Sequence, residues 1–358
     1  MKRLSFFRES LAHYQGASRA RKLVILLLSV AAAMLVGSVL ILAVGANPLE
    51  AYYYMLIRPV TSISSIGEVA MYFTPLLLVG IGVAFAFHAK LSNLGGEGQM
   101  LFGALGMTLV GIPPVGEALG MWSLPLGILL GILMGALWAA VAGFFRVRFN
   151  ASEIVVTLML NYIAKQFISY VVFYPLRSGA EPQSARIVAS LPKLYEGSRI
   201  NWGVILALLL TVGYAVVIRR TRFGYHLRAL GGSRRAAEYS GVKKNRYYFL
   251  ALALSGALCG LAGAVQISGN TMRLMEGVAG DFGFSGIVVA MLGSLHPAGM
   301  VIAALFMALL EAGSMTMQVR TGIPVSFTSV LEALIVLFIL LGMAISAAQS
   351  KRKKVSKT

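Results

Sequence analysis

Long apolar runs, each close to the length of a membrane-spanning helix, constrain this chain more than any other feature. About 20 consecutive apolar residues span a bilayer as a helix, and ten segments approach that pattern. Because only 12% of the residues are charged and the mean hydropathy is +0.80, we predict an all-α polytopic membrane protein with about ten transmembrane helices. The predicted spans are 23–44, 69–87, 94–112, 122–145, 154–176, 202–218, 247–268, 282–294, 299–318 and 324–345, the eighth being short enough for a half-span.

The basic residues predict how these spans are oriented. Cytoplasmic loops carry an excess of Lys and Arg, and with the N-terminus inside, the cytoplasmic segments hold most of the 31 Lys and Arg residues. We therefore expect a cytoplasmic basic N-terminal tail at 1–22, a single transmembrane domain at 23–345 and a cytoplasmic basic tail at 346–358. Topology then accounts for the net charge of +18, and no nucleic-acid partner is expected.

The reactive side chains argue against an enzyme. Cys259 is the only cysteine and lies in an apolar run, and the four histidines have no ligand spacing. We therefore expect no metal site. The predicted spans also contain no H-E-x-x-H and no Ser/His/Asp order, which disfavours an intramembrane enzyme.

Two glycine patterns predict close helix packing. Small residues at every fourth position let membrane helices approach each other. We interpret both patterns as structural and assign them no site. They comprise Gly127, Gly131, Gly135, Ala139 and Gly143 in the fourth span, and Gly256, Gly260 and Ala264 in the seventh.

A weak internal repeat suggests two related halves. The stretch GGEGQMLFGALG, which ends at Gly106, aligns with GFSGIVVAMLG, which ends at Gly293, and this places Gly96 over Gly283. Two halves of five helices each would have opposite orientations, as in the inverted repeats of many transporters. We predict that arrangement here.

The longest basic loop, 219–246, has features beyond its charge. It holds nine Lys or Arg and one Glu, but also apolar residues such as Leu227 and Leu230. Gly231 and Gly232 are expected to divide it into two short helices. Two short helices bent at glycines favour a docking site for a partner protein over a solvated loop. They also favour it over an anchor to lipid headgroups, which would need a longer amphipathic face.

Within this loop, residues 224–242 read GYHLRALGGSRRAAEYSGV and resemble the cytoplasmic coupling segment of ATP-binding cassette (ABC) importer permeases. The resemblance is to the group that serves nucleosides, simple sugars and branched-chain amino acids. Its pattern is close to G-x-x-x-R-A-x-G-x-N-x-x-A-A-x-x-x-G-[IV], and Ser233 stands where that pattern has Asn. The matching residues assigned to coupling with the ATPase are Gly224, Arg228, Ala229, Gly231, Ala236, Ala237 and Gly241, and Val242 also matches the pattern.

The stretch FHAKLSNLGGEGQMLFGALG at 87–106 resembles a segment of the nucleoside branch of this family. Two other stretches match the family as well: FNASEIVVTLMLNYIA at 149–164 and DFGFSGIVVAMLGSLHPAG at 281–299. The resemblance implies a multi-pass subunit of the bacterial inner membrane that imports a nucleoside or similar solute. It also implies a separate ATPase subunit, an extracytoplasmic solute-binding lipoprotein and a second permease subunit, identical or related. The chain has no phosphate-binding G-x-x-x-x-G-K-[ST] loop, so no cofactor is expected in it and ATP would be bound by the partner.

The stretch NLGGEGQ, which ends at Gln99, places polar residues at the start of the third span. Two interpretations remain open. Glu97 can satisfy free N–H groups at a helix start, or Asn93, Glu97 and Gln99 can form part of a polar gate or solute path, because irregular backbone within the membrane is tolerated where it lines a cavity.

The fifth span carries a second set of polar residues. Asn150 and Glu153 form a capping-box pattern, and Thr157, Asn161 and Lys165 follow on one side. A charge at mid-membrane costs about 3 kcal/mol, so Lys165 should either pair or meet water. We assign Asn161, Lys165 and Glu311 to the transport pathway. The alternative is a structural ion pair of Lys165 with Glu311 or Glu332.

Two other functions fit parts of the sequence. A secondary transporter could use Lys165, Glu311 and Glu332 as an ion-coupled relay, although the coupling-segment match argues against it. A simple sugar could replace the nucleoside as the solute.

Overall fold

The computed structural model describes residues 19–355 and is almost entirely helical. The only extended pairings within this range are two isolated bridges, Gln183 with Met275 and Lys193 with Asn201. Residues 1–18 of the predicted N-terminal tail and residues 356–358 lie outside the described part. The α-helices are α1 (Arg19–Ala43), α2 (Pro48–Tyr52), α3 (Ile63–His88), α4 (Gly96–Gly111), α5 (Val115–Leu119), α6 (Ser123–Phe149), α7 (Glu153–Phe173), α8 (Trp202–Arg220), α9 (Arg222–Gly232), α10 (Arg234–Tyr239), α11 (Lys244–Gln266), α12 (Phe282–Leu292), α13 (Pro297–Thr321) and α14 (Phe327–Val355).

Each of the ten apolar segments coincides with one of these helices. Within the described residues, seven helices are long and apolar enough to cross a membrane. The other three segments correspond to shorter apolar helices: α4, α12 and the part of α14 from Phe327 to Gly342. The predicted half-span is α12, which has 11 residues. The all-α membrane fold is therefore confirmed.

The chain divides into two compact units. Of the described residues, those up to Val60 and those from Leu309 onward form one unit, and Thr61–Ala308 form the other. In the first unit, α1 packs against α14, where Ser29 donates to the carbonyl of Phe338 at 3.1 Å. A π-helix, Tyr53–Ile57, follows α2 in the same unit and approaches Gly313 so closely that a side chain there would overlap Met55.

The core of the second unit is a set of helices joined through glycines. An added Cβ at Gly103 of α4 would overlap the backbone of Gly260 in α11. On α6, Gly131 meets α4 at Gly103, and Gly135 meets Gly256 and Gly260 of α11. Both glycine patterns therefore pack helices together, as predicted.

The segment 174–201, between α7 and α8, lies along the end of α11 and the turns that follow it. Its backbone N–H groups at Ile187 and Leu191 donate to the carbonyls of Met272 and Ser268, at 3.0 and 2.9 Å. These bonds satisfy backbone groups that helix ends leave unpaired.

The predicted capping box at the start of α7 is wrong. Helix α7 begins at Glu153 with Ser152 at its N-cap, whereas Asn150 adopts a left-handed conformation that ends α6. Glu153 is buried and pairs instead with Arg146, 3.4 Å away on α6. A left-handed Asn at a helix end is common, because its short side chain tolerates positive φ.

Candidate transport site

The stretch NLGGEGQ forms a tightly hydrogen-bonded entry to α4. Asn93 and Gln99 are buried and exchange two side-chain hydrogen bonds of 2.9 and 3.0 Å. Asn93 also accepts from the N–H of Gly95 at 2.9 Å and donates to Ser255 of α11 at 2.8 Å. Because these bonds occupy the polar atoms of both amides, Asn93 and Gln99 hold the entry loop in place and present little to a passing solute.

Helix α7 fastens the same loop from a second side. Asn161 accepts from the N–H of Gly98 at 2.9 Å and donates to the carbonyl of Leu94 at 2.8 Å. Thr157, one turn earlier, accepts from the N–H of Leu94 at 3.3 Å. Asn161 is buried, so this predicted pathway residue also acts on the backbone of the loop.

Glu97 stabilises a helix start, but of a different helix from the one expected. It lies in the first turn of α4, and its carboxylate accepts from the backbone N–H groups of Asp281 and Gly283 at 3.2 and 2.9 Å. Those groups belong to the start of α12. A carboxylate at a helix N-terminus satisfies unpaired donors and interacts favourably with the helix dipole. Glu97 is 2% exposed and fixes α12 to α4.

Lys165 joins this arrangement from α7. Its ammonium lies 3.1 Å from the carboxylate of Asp281 and 3.6 Å from that of Glu97. The side chain of Lys165 is 45% exposed and that of Asp281 is 73% exposed, so the group is buried at Glu97 and open on its other side. The sequence suggested Glu311 or Glu332 as the partner of Lys165. The structure gives it Glu97 and Asp281 instead.

A cavity of about 400 Å³ opens beside these charges. Volumes of about 300–1,000 Å³ are typical of small-molecule sites, and charged side chains that face a cavity in a membrane protein commonly mark a solute or ion path. No cluster of His, Cys, Asp and Glu within residues 19–355 has the arrangement of a metal site. The residues lining the cavity are Glu97, Leu101, Lys165, Ile168, Glu276, Gly277, Ala279, Gly280 and Asp281.

Glu311, the remaining predicted pathway residue, lies on α13 in the other compact unit. Its backbone carbonyl accepts from Ser314 at 2.6 Å. The structure thus brings Asn93, Glu97, Gln99, Asn161 and Lys165 together in one unit and leaves Glu311 outside that group.

The predicted coupling loop forms an elbow of two short helices, α9 and α10. Thr221 ends α8 and caps α9, accepting from the N–H of Gly224 at 3.2 Å. Ser233 separates the two helices and caps α10. The predicted division into two helices is therefore confirmed, with the break one residue after the Gly231–Gly232 pair.

Glycines allow the elbow to pack closely against the helices of the core. An added Cβ at Gly224 would overlap the backbone of α8 at Val217 and Ile218, and one at Gly231 would overlap the carbonyl oxygen of His88 at the end of α3. Gly241 has a φ of +83° and turns the chain toward α11. Of the other matched residues, Ala237 is buried, Ala229 is half-buried, and Arg228 and Ala236 are exposed. One face of the elbow is thus anchored and another is available to a partner.

An ion-pair cluster fixes the second helix of the elbow. Glu238 lies 3.1 Å from Lys244 and 3.4 Å from Arg234. The hydrogen bond from Lys244 lowers the pKa of Glu238, and Arg234 contributes in the same direction. The carboxylate therefore remains ionised when the medium becomes mildly acidic, and α10 stays attached to the start of α11.

Sequence reasoning missed three residues at these sites. Asp281 opens the stretch 281–299, but the sequence alone gave it no role. In the structure it has a positive φ of +58° and immediately precedes a short helix. His88 and Tyr214 were also overlooked, and Nε2 of His88 lies 2.8 Å from the hydroxyl oxygen of Tyr214. A histidine at the end of an apolar run, next to the glycine-rich stretch, was the one available signal in the sequence.

Comparison with known proteins identifies the family. Residues 65–341 match the family described as the permease component of the branched-chain amino acid transport system. The chain belongs to this permease family. It is 32% identical over 327 residues to a glucose ABC transporter permease protein of Haloferax volcanii, a match covering 87% of this chain and 86% of the relative.

Two further relatives are described by their names as permeases for nucleosides. A guanosine ABC transporter permease protein of Bacillus subtilis is 31% identical and matches over 94% of this chain and 98% of its own length. A nucleoside ABC transporter permease protein of Lactococcus lactis is 30% identical, with coverages of 94% and 96%. This chain is therefore a multi-pass permease subunit of the ABC transporter class, which is not itself an enzyme.

Proposed function

We propose that this permease imports a nucleoside or a related small polar solute across the bacterial inner membrane by alternating access. The observation that carries the proposal is the elbow. Its two capped helices rest on α3 and α8 through Gly231 and Gly224 and expose Arg228 and Ala236. A rigid projection of this kind can transmit the movement of an ATPase subunit to the helices behind it.

This proposed function implies three partners. An ATPase subunit would dock on the elbow at the cytoplasmic face, an extracytoplasmic solute-binding lipoprotein would deliver the solute, and a second permease subunit, identical or related, would complete the pathway. Both termini would be cytoplasmic, with ten helices crossing the membrane. No cofactor is proposed for this chain, since ATP would be bound by the partner.

Inverted halves would account for one contact in the core. Gly96 and Gly283, which the sequence repeat aligns with each other, touch at the crossing of α4 and α12, where an added Cβ on Gly96 would lie 3.3 Å from Gly283. Two equivalent residues of an inverted repeat can touch only on the pseudo-two-fold axis that relates the halves. The contact supports such an axis at this point.

The pathway would include the cavity next to Lys165 and Asp281. We assign Glu97 and Lys165 to it, because Lys165 faces the cavity and Glu97 sets its position. Asn93, Gln99 and Asn161 support this wall through the entry loop of α4. The assignment of Glu311 to a pathway stays a prediction.

A simple sugar is the second candidate solute, favoured by the relative named as a glucose permease. Both candidates can be tested with the permease, its ATPase subunit and its binding protein reconstituted in liposomes. We expect uptake of labelled guanosine that stops without ATP and persists after an ionophore. Uptake of glucose in place of guanosine would select the sugar, and uptake without the ATPase subunit would overturn the ABC mechanism.

A further inference from the structure

A hydrogen-bonded chain connects the base of the elbow with the far end of α12. The hydroxyl of Tyr214, on α8, donates to the carbonyl of Leu295 at 2.8 Å and also lies 2.8 Å from Nε2 of His88. A tyrosine hydroxyl has one hydrogen, which is given to Leu295. The bond with His88 must therefore be donated by its Nε2–H, and this fixes the direction of the chain: His88 to Tyr214 to Leu295.

Each end of this hydrogen-bonded chain lies where two structural elements meet. His88 is the last residue of α3, and its carbonyl oxygen is the atom on which Gly231 of the elbow rests. Leu295 belongs to the corner, residues 293–296, which joins α12 to α13. Tyr214 itself is 2% exposed and packs edge-on against Phe85, with ring centroids 5.0 Å apart.

The corner has an unusual backbone that depends on such support. Ser294 and Leu295 both have positive φ values, 51° and 58°. Non-glycine residues in this region are strained and persist only where their surroundings hold them, and they are common at sites that switch conformation. A second bond from α8 holds the same corner, because Arg219 donates to Nε2 of His296 at 2.8 Å.

The opposite end of α12 is the wall of the cavity. Its first N–H groups are bound by Glu97, and Asp281 immediately before it pairs with Lys165. Helix α12 has 11 residues and is therefore roughly 16 Å long at 1.5 Å per residue. Because a helix this short moves as one body, a displacement of the corner would also displace Asp281 at its other end.

We propose that His88 and Tyr214 are positioning residues that transmit movement of the elbow to the cavity through the corner and α12. The proposal rests on the proposed function of the elbow. ATP-driven movement at Gly231 would shift the end of α3, and the hydrogen-bonded chain would carry the shift to Leu295. Replacing either side chain would leave the elbow and the cavity intact but disconnect one from the other.

Tyr214→Phe is the sharpest test, since it removes one oxygen atom and keeps the ring that packs on Phe85. Amide hydrogen exchange of residues 276–283 would be measured in the complex with the ATPase subunit, with and without trapped ATP. We expect the ATP-dependent change in exchange to fall about fivefold or more, the lower end of ordinary coupling between sites. Tyr53→Phe, at a half-exposed tyrosine in the other unit, is the matched control and should keep the full change.

Substitutions at His88 provide a second arm that does not depend on Tyr214→Phe folding well. His88→Gln retains an N–H donor and should preserve coupling, whereas His88→Ala should lose it. The double variant His88→Ala with Tyr214→Phe should be no worse than either single one, because both interrupt one chain. Full ATP-dependent change in Tyr214→Phe or His88→Ala, or additive losses in the double variant, would overturn the proposal. If the wild-type complex itself shows no ATP-dependent change, the proposed function of the elbow fails instead.

Discussion

At the scale of single residues, Glu97 has a structural role that is compatible with the place proposed for it in the transport pathway. Its two oxygens accept from two backbone N–H groups of the start of α12, and one of them also faces Lys165 at 3.6 Å. The sequence posed these roles as alternatives. The geometry makes them compatible, because the carboxylate that holds α12 is the same one that positions a charge beside the cavity.

Glu97→Gln should therefore destabilise the protein. The amide keeps one acceptor oxygen but turns its NH₂ group toward a second N–H donor, so a buried N–H at Asp281 or Gly283 loses its partner. Such a loss costs about 1–3 kcal/mol, and the midpoint of thermal unfolding of the purified permease should fall. Glu117→Gln, at an exposed carboxylate on α5, is the control. Equal unfolding midpoints for both variants would contradict the structural role of Glu97.

Lys165→Met should separate folding from transport. The substitution keeps the volume of the side chain, and Glu97 retains both bonds to the backbone, so the amount of folded permease in the membrane should stay near that of the wild type. If Lys165 faces the solute as proposed, uptake by the reconstituted complex should fall by about tenfold, the effect of losing roughly 1.4 kcal/mol of interaction. Normal uptake would contradict the proposal that the cavity belongs to the pathway.

The residue scale is also where sequence reasoning reached its limit. The need for Lys165 to pair was predictable, since a lone charge in a membrane is costly. Its partner Asp281 was not, because the two are 116 positions apart and meet only through the bend before α12. Likewise, Asn93 and Gln99 look like path residues in the sequence. Only the structure shows that they saturate each other.

At the scale of helices, the glycine contacts between α4, α6 and α11 yield a sharp prediction. Gly103→Ala would force its new methyl group into the backbone of Gly260, and overpacking of this kind costs about 1–3 kcal/mol. Gly213→Ala, on α8, meets no heavy atom within 4 Å and should gain up to about 1 kcal/mol from helix propensity. Thermal unfolding in detergent would compare the two variants, and similar behaviour would show that the core tolerates a wider spacing.

Helices were the part of the fold that sequence predicted best. Apolar runs indicate which stretches are shielded from water, and all ten predicted segments are helices in the structure. Regularly spaced glycines indicate which helix faces pack closely together. Helix ends were predicted less well, as Asn150 illustrates. Whether a polar residue begins a helix or ends the preceding one depends on the local backbone, and the pattern of residue types leaves that open.

At the scale of the whole molecule, the two ends of α8 differ in charge, because the strongly basic elbow follows its C-terminal end. The helix has 19 residues and is roughly 28 Å long, close to the thickness of the hydrocarbon core. The segment 174–201 precedes it and the basic elbow follows it. If α8 crosses the membrane, these two segments lie on opposite sides whatever the total number of spans.

This topology can be tested with single cysteines, because the native Cys259 is buried and should not react with a membrane-impermeant maleimide. Tyr195→Cys places a thiol in segment 174–201, and Tyr239→Cys places one on the elbow, where the tyrosine is 96% exposed. With the permease expressed alone in intact cells, we expect labelling of Tyr195→Cys only, and labelling of Tyr239→Cys only after the cells are opened. The wild type is the unlabelled control. Labelling of both variants in intact cells would place the elbow outside, out of reach of a cytoplasmic ATPase, and the coupling role assigned to it would then fail.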